Sequence, residues 1–118
     1  MNMAELFRHE TDFESLAAGQ TLFNEGEKGH LMYILMAGTA MILVRDRLVE
    51  TAEAGAIVGE MAMIDDATRT ATVIAKTDCK FLPIERKRFN FLIQQTPNFA
   101  LHVMRVIAER LRKTDAIL

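Results

Sequence analysis

A chain of 118 residues, half of them hydrophobic, suits a single domain with a core of its own that needs no disulfide or metal support. A net charge of −2 denies it the broad positive field by which nucleic-acid and acidic-membrane binders gather their partners, so this chain alone is expected to bind neither. Cys79 is the single cysteine, which excludes an internal disulfide and suits a reducing cytoplasm. The charged opening MNMAELFRHE lacks the apolar stretch of a secretory signal, and no apolar run reaches the ~18 residues of a membrane span.

No linker, low-complexity tract or internal repeat divides the sequence, and residues 1–118 are read as one domain. Thr11-Asp-Phe-Glu14 has the spacing of a helix capping box, but the FESLAAGQTLF that follows has no apolar face of period 3.6 and is expected to be extended. From about residue 12 to residue 85 short apolar runs alternate with glycine and charged turns: LMYILMAG (31–38), TAMILV (39–44), LVETAEA (48–54), TATVIAK (70–76) and CKFLPIE (79–85). Gly38 separates the first two and Arg45-Asp46-Arg47 the next pair, a pattern of short strands closing into a sandwich or barrel. Met32, Met36 and Met41 read as core filler in these strands.

Within this β region lies IVGEMAMIDDATRTATV (57–73). Gly59 allows positive φ or close approach of backbone to a ligand. Glu60 to Ile64 is a helix-forming run of only about one turn, whose first backbone N–H groups would be free to meet a phosphate. Residues 65–68 then turn the chain, and Arg69 opens the next strand. A carboxylate and a guanidinium thus stand at opposite ends of one loop; the guanidinium can hold a phosphate through two parallel N–H···O bonds, and the carboxylate, an acceptor, suits sugar hydroxyls.

From Arg86 the period becomes helical, with Phe89, Leu92 and Ile93 on one face; Pro97 breaks the run and opens a second helix to about Lys113. The apolar residues of this second helix, Phe99, Ala100, Val103, Met104, Ile107, Ala108 and Leu111, span about twice the ~100° that one packing surface covers. One face can lie on the β region; the other calls for a second partner, and a homodimer through this helix is expected. Arg105, Arg110, Arg112 and Lys113 read as a solvated helix face.

GEMAMIDDATRTATV closely resembles the phosphate-binding cassette of the cyclic nucleotide-binding domain family, which includes catabolite-activator-type regulators, protein kinase regulatory subunits and cyclic nucleotide-gated channels. The flanks AGQTLFNEGEKG (18–29) and MYILMAGTAMI (32–42), with Phe89, Leu92, Pro97 and Phe99, extend the likeness over nearly the whole chain. The resemblance implies a mainly β fold, a double-stranded β-helix (β-roll or jelly roll) over 12–85 with its cassette at 58–73, and flanking helices over 86–118 that act as hinge, lid and dimer contact. It implies a bound cyclic nucleotide, cyclic AMP or cyclic GMP, as ligand rather than cofactor, in a regulatory domain that is not an enzyme. Glu60 would accept from the ribose 2′-hydroxyl and Arg69 would pair with the cyclic phosphate. Backbone N–H groups from Gly59 through Met61 to Ala62, and at Thr70, would complete the cradle, while Val58, Met61 and Val73 line the pocket. The Thr70 hydroxyl would touch phosphate or a syn purine. Departures from the family pattern are Val58 in place of an aromatic residue, Thr68 in place of proline, and His30 in place of an acidic or amide residue. Threonine after the arginine resembles cyclic-GMP-responsive kinase domains, although bacterial cyclic-AMP binders also carry small hydroxyl residues there.

Three other readings compete. A ligand-free member of the same fold could serve as a protein-docking module, with Glu60 and Arg69 as a structural ion pair. The chain could be the ligand-binding part of a catabolite-activator-type regulator without its helix-turn-helix. A metal-dependent β-roll enzyme is disfavoured because His9, His30 and His102 are too scattered for a metal motif, and neither Ser15 nor Cys79 has an activating neighbour.

Overall fold

The structure, a computed structural model, describes residues 2–65 and 68–118. Eight strands run as β1 (Glu14–Leu16), β2 (Thr21–Phe23), β3 (Leu31–Ala37), β4 (Ala40–Val44), β5 (Arg47–Ala52), β6 (Ile57–Val58), β7 (Thr72–Ala75) and β8 (Cys79–Glu85). They form two four-stranded antiparallel sheets in the orders β1-β8-β3-β6 and β2-β7-β4-β5. The chain passes between the sheets at every connection except the β4–β5 hairpin, which rolls it into a double-stranded β-helix.

Two of these crossings lie side by side. At Gly38 (φ +91°) a Cβ would collide with the Asp78 carbonyl oxygen. Next to it the Thr39 carbonyl accepts from Lys76 N–H at 2.9 Å, and Thr39 N–H donates to Thr77 Oγ1 at 2.9 Å. At the opposite end of the roll, the β4–β5 turn places Arg45 (φ 52°) and Asp46 (φ 62°) in the left-handed region, the backbone of a two-residue hairpin matched to strand twist.

LMYILM is continuously apolar because β3 is buried on both faces. Tyr33 and Leu35 face the interior of the roll with Phe81, Val73 and Ala40, whereas Met32 and Ile34 face a second core with Ile84, Phe89, Phe99 and Val103. Three helices cover that second core: α1 (Met3–Leu6), α2 (Arg86–Gln95) and α3 (Pro97–Ile117). The sequence reading omitted α1, whose Met3 and Phe7 are buried and whose Asn2 side chain caps Glu5 N–H at 3.2 Å. Residues 11–13 precede a strand, as the missing apolar period implied.

Several boundaries differ from expectation. α3 runs to Ile117, four residues past Lys113, where Arg47 donates to the Ile117 carbonyl. β7 starts at Thr72, because Arg69 is paired instead with the β2–β3 loop: its N–H donates to Glu27 O (2.7 Å) and its carbonyl accepts from Gly26 (2.9 Å). Met32 is fully buried and Met36 packs on the helical core, but Met41 lies half-buried on the outer side of its sheet, alternating with inward Ala40 and Ile42.

Candidate functional site

Gly59 follows β6 with φ +73° and starts a 3-10 turn over Glu60–Met63, the short helical run read from the sequence. A Cβ there would lie 2.6 Å from Arg69 Nη1, so glycine is required both by conformation and by space. The N–H groups of Glu60 and Met61 open the turn and have no partner within it. Ala62 N–H, expected as a third free donor, is instead taken by the Gly59 carbonyl at 3.2 Å. Of the turn expected over 65–68, residues 66 and 67 lie outside the described residues.

The loop and the strands beside it enclose a cavity of about 50 Å³. All eight residues singled out from the sequence line it: Val58, Gly59, Glu60 and Met61 from the first half, and Ala62, Arg69, Thr70 and Val73 from the second. Phe23, Ile42, Thr68, Ala71 and Arg110 complete the wall. A groove of about 410 Å³ shares Ile42, Glu60, Met61, Thr70, Ala71 and Arg110 with it and continues under α3 to Ile107, Leu111 and Thr114.

Arg69 is 8% exposed. Its Nε is buried without a partner, and Nη1 makes one long bond, 3.4 Å, to the Gly59 carbonyl. Among the described residues no carboxylate is ion-paired with it. Its guanidinium lies over the Phe23 ring, 4.1 Å from carbon to centroid. Burial lowers its pKa, partly offset by Tyr33, Glu27 and Glu60.

Glu60 is 5% exposed and is already engaged. Arg110 of α3 donates to its Oε1 at 2.8 Å, to the Ile57 carbonyl at 2.5 Å and to Glu50 on β5 at 3.3 and 3.4 Å. Burial works against the Arg110 charge, but Glu60 and Glu50 outweigh it and raise its pKa. For Glu50, burial is outweighed by Arg110 and Lys113, and the carboxyl pKa is lowered.

Arg110 therefore departs from its reading as part of a solvated face: its side chain is 14% exposed and spans the site. A helical period places it beside Ile107 and Thr114 on the packed side of α3, but nothing local in the sequence names carboxylates fifty residues away. Phe23 was also missed, because an aromatic in a short strand reads as core. Among the described residues no three His, Cys, Asp or Glu side chains gather in metal-ligating geometry, and no helix is long and apolar enough to cross a membrane.

Comparison with known proteins places this geometry. Residues 13–96 match the family model of the cyclic nucleotide-binding domain. The chain is 37% identical over 79 residues to Rap guanine nucleotide exchange factor 3 of Rattus norvegicus, a match covering 65% of this chain and 8% of that protein. It is 31% identical over 101 residues to the cAMP-activated global transcriptional regulator CRP of Pasteurella multocida, covering 80% of this chain and 48% of the regulator. The chain thus spans about half of the regulator and under a tenth of the exchange factor. A solved structure described as "cAMP bound PfPKA-R (141-441)" superposes with a TM-score of 0.83 at 20% identity, covering 98% of this chain and 44% of that one, a likeness of fold.

Proposed function

The chain belongs to the cyclic nucleotide-binding domain family, and on that footing we propose that it is a receptor module that takes up a cyclic purine nucleotide without turning it over. The cyclic phosphate meets the edge of the Arg69 guanidinium and the backbone N–H groups of Glu60, Met61 and Thr70. The ribose 2′-hydroxyl donates to Glu60, and the base extends along the groove toward Thr114. The groove's volume of about 410 Å³ is within the size range of small-ligand sites. The observation that carries the reading is a buried guanidinium without a counter-ion among the described residues, facing a cavity that it shares with a carboxylate of the same loop.

Cyclic AMP is the preferred ligand, supported by the relatives whose names state it; cyclic GMP is the alternative, supported by the Thr70 hydroxyl at the cavity wall. Binding is coupled to output through Arg110. A ribose that draws on Glu60 loosens the pair that holds α3 across the site, and α2 and α3 shift as the cassette closes on the phosphate. The outer stripe of α3 (Leu101, Met104 and Leu111), spaced by three, four and three through Ala108, is exposed and joins two copies of the chain. The module works in the cytoplasm and needs no nucleic acid or membrane of its own.

Calorimetric titration with cyclic AMP and cyclic GMP side by side tests the ligand; no heat with either overturns it. One observation favours a second reading, a nucleotide-free docking module: Arg110 occupies the carboxylate that a ribose would need. A thermal-shift screen separates the two, since a ligand that binds only the folded state raises the melting temperature.

A further inference from the structure

We infer that Phe23 is a positioning residue for the anion site: its ring takes the place of a counter-ion for Arg69, holding the guanidinium by its face so that its edge stays free for a phosphate. The inference deepens the receptor reading and rests on it. A buried arginine is ordinarily held by a carboxylate, and that partner occupies the same N–H edge that a phosphate would use. Here, among the described residues, the edge has one long bond, to the Gly59 carbonyl at 3.4 Å, and Nε has none.

What fixes the group is shape. The Phe23 ring lies against one face at 4.1 Å from the guanidinium carbon. Gly29 and Gly59 close the remaining sides at positions where any Cβ would meet the guanidinium. Gly29 has no positive φ, so its glycine reflects the room that Arg69 needs and not a backbone requirement. A π face attracts a cation without accepting its hydrogen bonds, so an arriving anion has no ion pair to break. The carboxylate half of the same cavity is built the opposite way, with Glu60 masked by Arg110.

Without the stack the guanidinium has little to keep it inside, and a ligand must draw it back from solvent. Phe23→Leu and a series with 3,5-difluoro- and pentafluorophenylalanine at position 23 test this, since fluorine drains the π face while changing ring volume little. Two readouts are needed: calorimetric affinity for cyclic AMP and cyclic GMP, and the Arg69 Nε–H resonance of the unliganded protein. The expected result is an upfield ring-shifted, slowly exchanging Nε–H in wild type. It should move toward the solvent value through the series, with affinity falling in the same order by about 5- to 30-fold in total. A folded pentafluoro variant that binds within twofold of wild type overturns the role of the ring; should it fail to fold, the difluoro variant decides by the same criterion. If wild type binds neither nucleotide, the receptor reading fails, and the Nε–H shift still decides whether the stack exists.

Discussion

Arg110 and Glu60 meet at 2.8 Å beside the cavity in which Arg69 stands without a carboxylate partner among the described residues. One half of the site is latched to α3 and the other half is open. Removing Arg110 leaves Glu60 buried without its partner and half-buried Glu50 with Lys113 alone, which costs about 3 kcal/mol. Arg110→Ala is expected to lower the melting temperature by roughly 10 °C, and adding Glu50→Gln should recover part of that loss. Chemical denaturation of the two single variants and the double variant measures it; strict additivity would mean that the three groups do not act as a unit.

Arg69→Ala should separate stability from binding. The substitution removes a buried charge that has no counter-ion among the described residues, so the unliganded protein is expected to melt within a few degrees of wild type. Affinity for a cyclic nucleotide should fall by about 100-fold or more, because the phosphate loses a buried charge-assisted partner. Unchanged affinity would take Arg69 out of the site.

Acid should release α3 from β5. The Glu50 pKa is lowered in the folded protein from an ordinary 4.5, so the unfolded chain binds its proton more readily. The stability that Glu50 contributes is complete above that ordinary value and is lost as the pH falls through the depressed folded value. Melting curves of wild type and Glu50→Gln, taken from about pH 7 to about pH 3, should differ most at the neutral end and converge in acid. Parallel curves would show that Glu50 does not titrate with folding.

Gly38→Ala probes the roll away from the ligand. The substitution forces a side chain into φ +91° and against the Asp78 carbonyl. A loss of about 2 kcal/mol or more is expected, with ligand affinity of the folded protein unchanged. An unchanged melting temperature would mean that the corner opens at little cost.

The outer stripe of α3 is expected to set the association state. Leu101→Glu with Met104→Glu places charge on two side chains that are 41% and 57% exposed and lie outside the groove, so the fold should survive. Sedimentation should find wild type as a dimer and this variant as a monomer. A wild-type chain that stays monomeric at high concentration removes the dimer.

What the sequence disclosed depended on how local the cause was. β3 and β4 are continuous apolar runs, β5 and β8 are shorter apolar runs broken by polar residues between turns, and α2 and α3 carry their own period and a proline boundary, so each could be read in isolation. The cassette was legible for the same reason: Gly59, Glu60 and Arg69 lie within one loop, and their spacing carries the family pattern. α1 was readable in principle, from Asn2 three residues before Glu5 and from Met3 and Phe7 one turn apart, but four residues give too short a period to weigh. The Arg110 latch and the Phe23 stack were not legible. Each joins residues from separate elements, and only the closure of the roll decides that Arg110 meets Glu60 or that Phe23 lies beneath Arg69.

The two-sided burial of β3 separates the interior of the roll from the helical core. Adjacent residues such as Met32 and Tyr33 serve different compartments, so a change of volume among the helices reaches the nucleotide chamber only by moving the strand's backbone. Helices of other lengths and contacts can therefore be mounted on that outer surface while the chamber behind it keeps its shape. Against such a fixed wall, the direct lines of communication between chamber and helices are the few side chains that cross the boundary, Arg110 foremost among them.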